Sequence, residues 1–269
     1  MAEKKDRRFH LPYPLFDSHF HALHLLERFE NAESVIDQSL DNGLIGAIEV
    51  AVDEGNFETR IDFIAERKTI RLSAGIHPSS SGIDGISWEE RFNEVRRQAV
   101  HPSVAAIGET GLDFFRNHSP RDMQERAFSD HLDLAVETGL PVIIHNRDAD
   151  GRVISLVSES RCRAGVFHCF SSDWKTAKQA LDLGFHISFA GNVTYKNAEM
   201  IRDAASRVPQ DCLLIETDAP YLSPIPVRGR DNHPGHLGYT LEAISDCRGE
   251  DPRLLAEATV CNTRRLFGL

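Results

Sequence analysis

Residues 141–145 read Pro141-Val142-Ile143-Ile144-His145: three large apolar side chains in succession, ended by an imidazole. A short run without polar alternation is the pattern of a strand covered on both faces, as in a parallel sheet. Immediately upstream, the periodic segment 123–138 closes at Gly139, as a helix does before a turn. Helix, turn, buried strand and polar terminus form the local unit.

Moving outward, the unit recurs. Apolar runs occupy residues 15–21, 44–51, 71–76, 104–108, 165–168, 185–189 and 213–216, which with 141–145 make eight predicted strands. The segments between them are long enough for crossover helices. One of these carries Ser172-Asp173 ahead of a periodic stretch ending at Gly184. Eight alternations favour a (β/α)8 barrel, whereas fewer strands in reversed order would give an open doubly wound sheet. The 269 residues suit a barrel of about 250. No linker, repeat or low-complexity tract divides the chain, so a single domain over residues 1–269 is expected, with 1–10 as a flexible approach.

Composition narrows the class. No apolar run approaches the roughly 18 residues of a membrane span, and the opening is charged. Five cysteines without a CxxC pair give neither a disulfide framework nor a thiolate zinc site. A cytoplasmic protein with no membrane association is the expectation. A net charge of -11 argues against broad attraction to nucleic acid but leaves room for a local site, where bound cations would offset carboxylates.

The ends of the strands carry the chemistry. In the first, Asp17, His19 and His21 alternate onto one face, where two imidazoles can share a metal and Asp17 could orient one of them. Glu109, His145, His168 and Asp218 each end or follow another apolar run. Any one has a structural account: a helix cap for Glu109, a core histidine for His145, a turn former for Asp218 before Pro220. Together, six metal-competent side chains at five strand ends, buried without partners, would be costly. In a barrel those ends converge on the C-terminal mouth.

With these residues in view the chain resembles the TatD-like metal-dependent deoxyribonucleases of the amidohydrolase-type barrels. The resemblance rests on DSHFH at 17–21, GIHP at 75–78, GETGLD at 108–113, PVIIHNRDA at 141–149, FHCFS at 167–171 and ETDAPYLSP at 216–224. It implies two divalent ions, Zn, Mn or Mg. His19, His21 and Asp218 would hold one, His145 and His168 the other, and Glu109 would bridge them. It also implies DNA as substrate, possible 3'-5' exonuclease action, and hydrolysis by a metal-activated hydroxide. Asp218 is the candidate catalytic base. His77, Arg147 and Arg228 are candidate substrate-binding groups, His77 as a donor to a phosphate oxygen and the arginines as clamps.

Two further residues and one segment are read at this stage. His233 stands where the family commonly has Glu, a departure that bears on substrate preference. Cys169 is expected to point away from the face of His168 and to act as filler. Residues 252–267 read as a closing helix whose apolar stripe is packing. Two alternatives to the nuclease stay open. One is a small-molecule amidohydrolase or esterase on the same centre; the other is a non-catalytic scaffold that binds metal or nucleic acid.

Overall fold

The computed structural model describes residues 9–82 and 85–269. Its strands are β1 (Leu15–Phe20), β2 (Leu44–Glu49), β3 (Ile70–Ala74), β4 (Val104–Asp113), β5 (Val142–Arg147), β6 (Gly165–Phe167), β7 (His186–Phe189) and β8 (Leu213–Ile215). They form one eight-stranded sheet in sequence order, each neighbouring pair parallel, with a helix after every strand. The fold is the (β/α)8 barrel.

The seam between β1 and β8 is closed largely by side chains. Ser18 Oγ donates to the Ile215 carbonyl at 3.0 Å. The Thr217 amide donates to Asp17 Oδ1 at 2.9 Å, and its hydroxyl to Asp17 Oδ2 at 2.5 Å. At the mouth Phe20 and Ala219 make an isolated parallel bridge. Asp17 therefore meets Thr217 rather than a ligand imidazole, which corrects the expected role: it holds the backbone that carries Asp218.

Most of the apolar burial lies between sheet and helices. A smaller cluster takes Phe16, Ile48, Ile143, Val166 and Leu214 from five strands and is joined by Phe267 of the closing helix Pro252–Phe267. Two residues beyond Ile143, Val166 and Leu214 come His145, His168 and Glu216. Strand alternation thus carries the filling of the barrel into the polar groups above it. Asn262 fixes the closing helix by donating to the carbonyls of Gln210 and Leu213, at 2.7 and 2.9 Å.

The helix signals hold. Asp173 caps Trp174–Asp182 by accepting from the Thr176 amide, and Gly139 ends Arg121–Thr138 at φ 72°. Of the expected flexible approach, residues 1–8 lie outside the described residues. His10 is pinned, its amide donating to the Gly235 carbonyl at 2.6 Å and its Nε2 lying 2.7 Å from Glu242.

Candidate metal centre

Glu109 sits at the middle of the barrel mouth, 2% exposed, and its two oxygens face different imidazole pairs. Oε1 lies 2.8 Å from His145 Nδ1 and 2.8 Å from His168 Nε2. Oε2 lies 3.6 Å from His19 Nε2 and 3.7 Å from His21 Nε2. The close approach of β3 and β4 supports this placement: a Cβ on Gly75 would collide with the backbone of Gly108, the residue before Glu109. Gly108 itself sits at φ 123°, a conformation that glycine alone adopts without strain.

Asp218 joins the His19/His21 side. It follows β8 with φ 52°, and its amide donates to the His19 carbonyl at 2.9 Å. Its Oδ1 lies 3.6 Å from His21 Nε2 and 3.8 Å from His19 Nε2. The two Nε2 atoms are themselves 3.2 Å apart.

The surroundings fix which nitrogen is free to bind. His21 Nδ1 lies 3.1 Å from the Val50 carbonyl, which can only accept, so in the neutral ring Nε2 bears the lone pair. His168 Nδ1 faces Glu216 Oε1 at 3.2 Å, with the same consequence. His145 is reversed: Nε2 faces Asp113 Oδ2 at 3.5 Å, leaving Nδ1 open toward Glu109. His77 Nδ1 accepts from the Ser79 amide at 3.0 Å, so its proton is on Nε2, 3.5 Å from Glu109 Oε1. It is arranged as a donor rather than as a ligand.

Charge follows the same division. Burial disfavours a charged His168, but Glu109 and Glu216 outweigh it and hold its pKa well above the ordinary imidazole value. Burial would raise Glu109, yet the surrounding imidazoles hold it well below the usual carboxylate range. For Asp113 burial is likewise outweighed, by His145, the Arg116 amide and Arg147, and its pKa lies at about 2. Burial depresses His77 to about 3, which keeps it neutral. A field that holds protons on buried imidazoles also attracts cations, and proton and metal compete for the same lone pairs.

The donors fit a divalent ion of borderline softness: imidazole nitrogens and carboxylates, with outer carboxylates orienting the rings. Ligand atoms of His19, His21 and Glu109 lie within 4.8 Å of one another.

The centre opens into a cavity of about 810 Å³, within the range of ligand sites. His77, Arg147 and Arg228 line it. The Arg147 guanidinium lies over Phe115, 4.2 Å from the ring centroid, and that of Arg228 over Tyr195 at 4.3 Å. His233 does not reach the wall. It is buried against Phe9 and His236, with ring centroids 5.3 and 3.7 Å away.

Cys169 requires a correction. Its side chain lines the cavity and reaches Asp218, and burial together with the Asp218 charge pushes the thiol well above its ordinary pKa. β6 ends at Phe167 and Cys169 has φ 46°, so strand alternation no longer sets its direction. Glu216 and Asp113 were not singled out from sequence. Each had a signal, since Glu216 is two residues from Asp218 and Asp113 lies in GETGLD, two alternations beyond Glu109.

A parallel barrel with imidazoles and carboxylates gathered at its C-terminal mouth is the framework of a metal-dependent hydrolase. Residues 16–268 match the family described as TatD related DNase, and the chain belongs to that family. The uncharacterized metal-dependent hydrolase YcfH of Escherichia coli K12 is 36% identical over 257 residues, 94% of this chain and 95% of its own length. A Rahnella protein named 3'-5' ssDNA/RNA exonuclease TatD is 40% identical over 205 residues, 73% of this chain and 76% of its own. The crystal structure of YJJV, a TatD homolog from Escherichia coli K12, superposes with a TM-score of 0.86 at 26% identity, covering 95% of this chain and 98% of that one.

Proposed function

We propose that this hydrolase is a deoxyribonuclease with two divalent ions, cleaving phosphodiesters of single-stranded DNA from the 3' end in a single domain that occupies the chain. The observation that carries the reading is Glu109, whose separate oxygens face the His19/His21 and His145/His168 pairs. One site would comprise His19, His21, Asp218 and Glu109, the other Glu109, His145 and His168. Bound there, divalent ions would supply Lewis-acid polarisation of a phosphoryl oxygen and lower the pKa of water.

The chain's own groups supply the rest. Asp218, at the cavity wall, accepts the proton of the attacking water. His77 donates its Nε2 proton in a hydrogen bond to a phosphoryl oxygen. Arg147 and Arg228 bind neighbouring phosphates, and among the described residues neither has an ion pair with a carboxylate to break. The Rahnella relative, named as a 3'-5' exonuclease, supports the exonuclease polarity. Five free cysteines suit a reducing cytoplasm, and no helix among the described residues is long and apolar enough to cross a membrane.

The test is a hydrolysis panel of single- and double-stranded DNA, RNA and small esters at fixed metal concentration. DNA cleavage that depends on metal and disappears in a His19→Ala, His21→Ala double variant is expected. Turnover of small esters or amides alone would transfer the centre to the amidohydrolase reading, which its chemistry also permits.

A further inference from the structure

Three arginines that line the cavity each lie over an aromatic ring: Arg28 over Tyr221, Arg147 over Phe115, and Arg228 over Tyr195; the two tyrosines line the cavity as well, while Phe115 stands outside it behind Arg147. Two of these rings are tied into the protein. Tyr221 Oη lies 3.1 Å from His24 Nδ1, and Tyr195 Oη donates to the Ser223 carbonyl at 3.1 Å. Phe115 has no polar anchor and is 62% exposed, joined to the cavity through Arg147 and its chain neighbour Arg116, both of which line it. It stands two residues beyond Asp113, the partner of His145, and next to Arg116, which lines the cavity.

We propose that Phe115 is a stacking platform for an unpaired nucleobase beside the scissile phosphodiester, with Arg147 on the covered ring face and its charge directed to the adjoining phosphate. The proposal rests on the nuclease reading above and deepens it by naming what selects an unpaired strand. An exposed phenyl ring in water has little to gain except an apolar partner, and a base is flat, apolar on its faces and linked to the phosphate that Arg147 can hold. Arg147 forms no ion pair among the described residues, although its charge reaches Asp113, so its guanidinium donors are open to a phosphate in a chain with a net charge of -11. A base inside a duplex is already stacked on both sides and cannot lie flat on Phe115 without leaving its neighbours. A ring of this kind tolerates any base, since each has a π face.

The experiment compares a short single-stranded oligodeoxynucleotide with versions bearing one abasic residue at each of the three terminal positions, using metal-loaded wild type, Phe115→Ala and Phe115→Trp. In wild type, one abasic position should raise KM about tenfold, the order of a single base–aromatic stack. Phe115→Ala should raise KM for the intact strand and abolish the difference between intact and abasic strands. Phe115→Trp should keep that difference, which a merely structural role would not predict. The platform is refuted if wild type ignores all abasic positions, or if the alanine variant distinguishes them as wild type does. If wild type cleaves small phosphodiesters but no oligonucleotide, the nuclease reading itself is refuted and the platform with it.

Discussion

Glu109 and Asp218 differ in what the mouth of the barrel asks of them. Glu109 lies within 4 Å of five imidazoles, those of His19, His21, His77, His145 and His168, and is only 2% exposed. Asp218 faces one imidazole pair through Oδ1, is met by Cys169, and lines the cavity with 9% of its surface exposed. The division makes Asp218 the proton acceptor and Glu109 the shared ligand in the proposed centre. Asp218→Asn, assayed at saturating metal, should lower kcat by about 100-fold or more, the ordinary contribution of a general base, and remove the acidic limb of the rate-versus-pH profile. An unchanged profile with a near-normal rate would eliminate Asp218 from that role.

At the scale of the elements, the eight buried runs were legible because parallel strands covered on both faces cannot alternate polar and apolar residues. Their ends were less legible. β4 continues through Glu109-Thr110-Gly111 to Asp113, past the point where hydrophobicity stops, because the polar residues there face the mouth rather than bulk water. Cys169 was misread for the opposite reason: β6 has only three residues, and alternation was extended beyond its end. The pairing of carboxylates with particular rings was not legible, since it depends on which strands become neighbours. The β3/β4 contact is one such case. Gly75→Ala would press a methyl group into the Gly108 backbone and should destabilise the fold by about 1–3 kcal/mol, read as a lower denaturant midpoint. An unaltered midpoint would show that the strands can separate without loss.

For the whole molecule, a net charge of -11 coexists with an arginine-bearing rim around the mouth. Attraction to a polyanion is therefore local. If about three phosphates of a single strand are neutralised, log K should fall with log salt at a slope of about -2 at constant free metal. A slope several times steeper, in equilibrium anisotropy titrations, would mean that binding extends well beyond the rim.

The seam between β1 and β8 has a consequence for the order in which the centre can form. Asp17 and Thr217 are 200 positions apart, and the His19 carbonyl receives the amide of Asp218 across the same junction. Closure of so long a loop is entropically costly until the intervening strands are in place. His19 and His21 therefore meet Asp218 only after the chain has come full circle. A nascent or half-folded chain cannot assemble this half of the centre, so hydrolytic competence appears only with completion of the barrel.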